Sequence, residues 1–337
     1  LAHRCAFGDA ALIELLILLV FLSLFFDFVN GFHDSSNAIA TVILTRALSV
    51  KQALFLSATL NFIGPFIFGT AVAHTIGTGI VASGGITVHL LIAALVGAIT
   101  WGLITWAMGL PSSSSHALIG GITGSAIAAY GFGGVNLAGL SSILFALVVS
   151  PIVGILMGFA MMIAMVWLFR RQNPHTVNFI FKNLQLLSSA FVSLSHGTND
   201  AQKTMGVITA GLVAMGMIDG FAVPWWVVVI SATAISLGTL SGGWRIIKTM
   251  GTKIVSLRPI HGFCAEFSSA MVILFGSIAG MPLSTTHVVS SSLMGVGSVE
   301  RIHAVRWIVA RKIIWAWFLT IPASAAVAAF AYLVVPA

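Results

Sequence analysis

Two short polar motifs interrupt an otherwise apolar chain, and each occurs twice in the same order. The first motif reads Asn30-Gly31-Phe32-His33-Asp34-Ser35-Ser36-Asn37, then His196-Gly197-Thr198-Asn199-Asp200-Ala201-Gln202-Lys203. The second reads Gly109-Leu110-Pro111-Ser112-Ser113-Ser114-Ser115-His116, then Gly280-Met281-Pro282-Leu283-Ser284-Thr285-Thr286-His287. Asp34 precedes His116 by 82 positions (116 − 34) and Asp200 precedes His287 by 87 (287 − 200). Polar residues repeated in this way inside apolar sequence imply one site assembled from two halves, as in secondary transporters built from structural repeats.

The surrounding sequence fixes the solvent. The 337 residues are 58% hydrophobic and 7% charged, with a mean hydropathy of +1.08, whereas soluble domains carry roughly 25% charged residues. So much apolar surface needs lipid. At about 20 residues per span the chain has room for roughly eight to ten. The 34 glycines suit close helix packing in lipid. Ten-residue alternating strands are absent, which argues against a membrane barrel. Apolar runs and breakers place helices near 11–45, 51–74, 88–109, 112–130, 141–169, 183–212, 224–244, 261–281, 282–299 and 306–335. The first is too long for one straight span, and a break at Gly31 is expected. The run Ala11–Phe26 enters the first motif without a small-residue cleavage site, so it reads as a span and not as a signal peptide.

The formal charge of +7 does not point to nucleic acid. Thirteen of the 15 Lys and Arg fall in four short segments: Arg46 and Lys51; Arg170, Arg171 and Lys182; Arg245, Lys248, Lys253 and Arg258; Arg301, Arg306, Arg311 and Lys312. Placing all four in the cytoplasm makes the Asp34 span run inward and the Asp200 span outward. It also makes the Pro111 and Pro282 elements enter from opposite faces. The fold expected is an all-α polytopic membrane protein, an inverted-topology repeat with broken helices and re-entrant helical hairpins. Its parts are an N-terminal repeat over 1–169, a cytoplasmic linker over 170–182 and a C-terminal inverted repeat over 183–337.

The motifs suggest their chemistry. Proline followed by hydroxyl residues is the signature of a helix start, and the first backbone N–H groups of a helix attract anions. Two such starts, entering from opposite faces, could replace the water shell of a tetrahedral oxyanion. Asp34 and Asp200 occupy matching positions, and a carboxylate at membrane depth is a functional candidate by default. Asn37, three residues after Asp34, shares its helical face; oxygen ligands of this kind suit a small cation or a proton. In the second copy that position is Lys203, which repels a cation and either attracts an anion or pairs with Asp200. Glu266 is a buried acid without a twin, since its counterpart near Leu95 is apolar; it is a candidate proton carrier. Asp27 is a cap or pathway residue. His33, His116, His196 and His287 can donate or relay protons, or can simply be packed. Cys5 and Cys264 show neither pairing nor metal-ligand spacing.

At these residues the chain resembles the inorganic phosphate transporter (PiT) family, over nearly its whole length. The resemblance rests on the twice-occurring Gly-x-x-Asp-x-x-Asn/Lys and Pro-x-Ser/Thr-Ser/Thr-Ser/Thr-His motifs. It implies inverted halves with phosphate between the hairpin tips, held by Ser113, Ser114, Ser115, Ser284, Thr285 and Thr286. It also implies coupling-ion residues at Asp34, Asn37 and Asp200. The run Asn199–Gly206 is similar to the bacterial low-affinity branch, which implies proton coupling and acceptance of metal–phosphate complexes; Lys203 argues against sodium at the second site. The expected function is therefore phosphate import coupled to protons through Asp34, Asn37, Asp200, Lys203 or Glu266, in the plasma (inner) membrane. No cofactor and no resident metal are implied, although a divalent metal could travel with phosphate, and a homodimer stays open. The alternatives are a sulfate permease of the same fold and a sodium-coupled phosphate symporter. An intramembrane Ser/His/Asp hydrolase is more remote, because adjacent Ser115 and His116 do not guarantee that the base reaches the nucleophile.

Overall fold

The computed structural model describes residues 2–82, 84–253, 257–300, 303 and 305–334. Arg301 and the side chains of Cys5 and Lys253, singled out above, lie outside that description. Twelve α-helices account for most of the described chain: α1 (Ala2–Leu44), α2 (Val50–Ile63), α3 (Ala71–Thr78), α4 (Val88–Met108), α5 (Ser114–Tyr130), α6 (Leu137–Phe169), α7 (Pro174–Ala214), α8 (Trp225–Ser241), α9 (Trp244–Lys253), α10 (Pro259–Ile278), α11 (Thr285–Glu300) and α12 (Trp307–Val334). Among the described residues the β structure is a single isolated bridge between Val81 and Val135. Five helices are long and apolar enough to cross a membrane: α1 from Leu12, α4, α6, α10 and α12. α7 is long but carries the second copy of the first polar motif, His196–Lys203, in its buried middle.

Local chemistry sets most boundaries. Gly109 and Gly280 end the α4 and α10 arms in left-handed conformation, with φ of 65° and 69°. Ser113 caps α5 by accepting from the His116 amide (3.2 Å), and Ser284 does the same for α11 from the His287 amide (3.2 Å). Each hairpin is thus a long helix, a tight proline-containing tip and a helix of 16 or 17 residues that is too short to span lipid alone.

The structure differs from the sequence expectation in several places. The 51–74 helix is two helices, α2 and α3, bent by 76°. The first arm continues through a 3₁₀ turn, Gly64–Phe66, and the bend falls in residues 67–70, where Gly69 is left-handed with φ of 77°. Most of the 170–182 linker is helical. Asn173 caps α7 by accepting from the His175 amide (3.0 Å), and Pro174 suits the first helical position. Residues 244–253, read as part of a basic loop, form the short helix α9.

The largest difference concerns Gly31. No break occurs there, and α1 continues through the motif. Glycine is needed for a close crossing instead. A β-carbon on Gly31 would stand 2.3 Å from the Ile235 carbonyl oxygen of α8, and one on Gly197 would stand 2.4 Å from the Asn61 carbonyl oxygen of α2. Only the absence of a side chain lets the backbones approach so closely. The two contacts are counterparts: a motif helix of each half presses on the second helix of the other. The same exchange recurs where α5 packs on α12 and α11 packs on α6. Pro151 within α6 and Pro322 within α12 lie 171 residues apart (322 − 151), as do Pro111 and Pro282 (282 − 111). These crossings bring the middles of α1 and α7 alongside the two hairpin tips.

Candidate functional site

Asp34 and Asp200 meet at the centre of the bundle, 2% and 0% exposed. Their neighbours come from both halves. On Asp34, Oδ1 lies 2.8 Å from His33 Nδ1, while Oδ2 accepts from Thr286 at 3.0 Å and Thr285 at 3.4 Å. Asn37, one turn on, donates to the Thr286 hydroxyl (3.1 Å). On Asp200, Oδ2 accepts from Asn30 (3.2 Å) and Thr285 (3.3 Å), and it lies 3.3 Å from His196 Nε2 and 3.0 Å from Lys203 Nζ. Thr285 thus touches both carboxylates. Asn30 and His196 hold the same place in their motifs (196 − 30 = 200 − 34), and each reaches across: Asn30 to Asp200, and His196 to within 4.0 Å of Asp34 Oδ2. Asn30 is a member of the site that the sequence reading quoted but did not assign. Its identity in register with a histidine was the available signal.

The first hairpin closes the site from the other side. Lys203 is fully buried, and its ammonium reaches Ser114 Oγ (2.8 Å) and Ser115 Oγ (3.1 Å) as well as Asp200. A buried ammonium needs both charge and hydrogen-bond compensation; here one carboxylate and two hydroxyls supply it. Ser115 in turn donates to the Leu283 carbonyl at the tip of the second hairpin (2.7 Å). Of the six hydroxyl residues expected around an anion, Ser113 and Ser284 act as helix caps, Ser114 and Ser115 face the ammonium, and Thr285 and Thr286 face the carboxylates. Beside Asn30, His33, Ser112, Ser113 and Ser114 lies a small cavity of about 20 Å³, which holds roughly one water. A tetrahedral oxyanion between the tips therefore requires the Lys203–serine contacts to part.

The histidines divide. His33 bridges Asp34 to Ser112 and Thr105, 3.4 Å from each hydroxyl. His196 lies between the two carboxylates and also touches Asn61 Oδ1 (3.3 Å). His116 and His287 leave the acids and face each other, with ring centroids 4.3 Å apart, and His287 stacks on Trp317 at 3.9 Å. Thr105 and Asn61 carried no signal in the sequence, because neither belongs to a repeated motif and each sits among other scattered polar residues of its helix.

Glu266 is buried in a pocket of its own. Its carboxylate accepts from Thr41, Ser188 and Gln185, and none of these groups touches Asp34 or Asp200. Asp34, His196 and Asp200 could hold a cation, since each offers an atom and all lie within 4.8 Å of one another. Two carboxylates and an imidazole suit a divalent ion of intermediate hardness, although the Lys203 ammonium already occupies part of that field.

Comparison with known proteins accords with this geometry. Residues 30–328 match the model of the phosphate transporter family. A "Probable low-affinity inorganic phosphate transporter" of Rhizobium meliloti is 47% identical, covering 96% of this chain and 98% of that protein. A protein of the same description from Bacillus subtilis is 44% identical, with the same two coverages of 96% and 98%. A solved structure described as "The sodium-dependent phosphate transporter" superposes with a TM-score of 0.89 at 28% identity, over 95% of this chain and 98% of that one. With both motif pairs converging at its centre and these matches along nearly its whole length, the chain belongs to the phosphate transporter family and is a multi-pass protein of the plasma membrane.

Proposed function

We propose that this carrier imports inorganic phosphate together with protons, the anion sitting between the two hairpin tips. The supporting observation is Lys203, whose ammonium lies within 3.1 Å of Asp200, Ser114 and Ser115. A tethered cation there offers positive charge to an arriving anion and takes the place of a mobile cation beside Asp200. In this reading phosphate displaces Ser114 and Ser115 from Lys203 and accepts from them, from Thr285 and Thr286, and from the first amides of α5 and α11. Ser113 and Ser284 hold the helix starts in place. Asp34, Asn37 and Asp200 carry the coupling charge, with Glu266 as a separate acid station.

The two halves, 1–169 and 183–337, are inverted with respect to the membrane in this proposal, with 170–182 on the cytoplasmic side. Their reciprocal glycine crossings support it. A divalent metal travelling with phosphate would use Asp34, His196 and Asp200 as passing ligands.

Sodium coupling is the second reading, favoured by the printed description of the solved relative and by the oxygen set of Asp34, Asn37 and Thr286. Radiolabelled phosphate uptake into proteoliposomes separates the two. A proton gradient alone should drive accumulation, and sodium at fixed pH should add nothing; accumulation that follows sodium and ignores the proton gradient defeats the proton reading. Sulfate in excess should compete poorly at pH 7, because sulfate carries no proton for a carboxylate to accept.

A further inference from the structure

A third acid stands behind the acid pair. Ser23, Asp27, Asn30 and Asp34 recur along α1 at steps of four, three and four residues, which puts them on one face. Asp27 is 0% exposed, and neither of its carboxylate oxygens has a hydrogen-bond partner. The oxygens near it or in line with it are also unpartnered: Ser23 Oγ, Asn30 Oδ1, Thr204 Oγ1 and the free Oδ1 of Asp200. Thr204 and Asn30 are the donors nearest Asp27, close enough to act on it but outside full hydrogen-bond geometry, and the charges of Lys203 and Asp200 reach it. Asn30 links the two acids, since its amide nitrogen is given to Asp200 (3.2 Å). α8, which packs along α1, presents no titratable side chain. On α4 the single titratable side chain is His89, held at the far end against the Tyr332 carbonyl (3.2 Å). In the other half the matching position is Ser193 (27 + 166), satisfied by the Ser189 carbonyl (2.7 Å).

We propose that Asp27 is the loading site for the proton that travels with the anion; this rests on the proton-coupled reading above. The other buried acids are already engaged. Asp34 has both oxygens bonded, Asp200 shares Oδ2 with Lys203, and Glu266 is enclosed by hydroxyl and amide donors. An ionised carboxylate whose nearest donors, Thr204 and Asn30, stand beyond full hydrogen-bond reach is costly away from water. The species that removes the cost with least movement is a proton, whose O–H finds acceptors at Asn30, Thr204 or Ser23. Each proton bound by the Asp27 carboxylate cancels one negative charge in the group Asp27, Asp34 and Asp200, which the arriving anion must approach. Its release to the opposite aqueous phase, after the anion leaves, restores that charge and completes one coupled cycle.

The test uses the full chain in proteoliposomes. In Asp27→Asn the phosphate accumulation ratio under an inward proton gradient should fall to the value without a gradient, and Asp27→Glu should recover part of the response. Gradient-driven accumulation by Asp27→Asn equal to that of the unaltered protein overturns the proposal. If the unaltered protein itself ignores the proton gradient, the proton-coupled reading fails instead. Infrared spectroscopy then decides the site independently of transport. The unaltered protein should show a protonated-carboxyl stretch that is missing in Asp27→Asn, and a band that persists in Asp27→Asn overturns the assignment even if the variant does not transport. An acid-state band that disappears on adding sodium alone assigns the Asp27 carboxylate to an alkali cation, against the proposal.

Discussion

Ser115 of the first hairpin donates its hydroxyl to the Leu283 carbonyl of the second at 2.7 Å. The two tips, 168 residues apart in sequence, are thereby joined by one direct hydrogen bond next to the Lys203 ammonium. Any oxyanion entering between the tips competes for the same hydroxyl.

Ser115→Ala should therefore act on binding and on tip closure together. The Leu283 carbonyl and one side of Lys203 lose a partner, at about 1 kcal/mol for each neutral bond and more for the charged one. The apparent affinity for phosphate should weaken about tenfold or more, while the amount of protein inserted in the membrane stays unchanged. Uptake measured across phosphate concentrations checks this; an unaltered affinity means that Ser115 does not face the anion.

Removing the ammonium is a stronger change. Lys203→Met leaves Asp200 buried without its cation, and breaking a buried pair costs roughly 3–5 kcal/mol. Phosphate uptake should be lost, and the purified protein should melt at a lower temperature. Lys203→Asn restores the residue of the first motif. It should make any remaining uptake respond to sodium, as measured by paired assays with sodium and with choline.

Asp34→Asn keeps the shape but removes the charge that Thr286, Thr285 and His33 surround. Coupled accumulation should disappear while the variant still inserts and folds. Wild-type-like accumulation by this variant removes Asp34 from the coupling machinery.

The crossing at Gly31 is a matter of space alone. A methyl group there would collide with the Ile235 carbonyl oxygen at 2.3 Å, and backbone cannot give way as a flexible side chain can. Overpacking of this kind costs about 1–3 kcal/mol or more. Gly31→Ala and Gly197→Ala should each lower the melting temperature in detergent. Gly133→Ala, with nothing within 4 Å of the added carbon, should leave it unchanged.

The contrast between Gly31 and Ser113 shows what could be read from the chain alone. A hydroxyl cap close after Pro111 follows from neighbouring residues, because a hydroxyl three residues before an amide closes a local ring; the structure gives that cap to Ser113. Gly31 was misread as a break for the same reason. Locally a glycine means freedom, and only the partner helix α8 shows that it means proximity. Glu266 illustrates another limit. Its burial was legible from the apolar stretch around it, but its separation from Asp34 and Asp200 depends on donors at Thr41, Gln185 and Ser188, far away in sequence. The extent of α7 was missed at its N-terminal end, where residues 174–182 were read as linker because they are polar and basic; the Asn173 cap and Pro174 start the helix there.

The residues by themselves determined that this chain lies in lipid and that two polar motifs recur in it, each twice and in the same order. Those properties follow from composition and repetition, which are local and additive. Only the tertiary structure decided that Lys203 joins Asp200 to Ser114 and Ser115, that His116 turns from the acids to face His287, and that Asp27 is buried with neither oxygen in full hydrogen-bond geometry. Such outcomes depend on which side chains from distant segments arrive within about 3 Å of one another, the range over which a hydrogen bond forms, and helix crossings set that arrival.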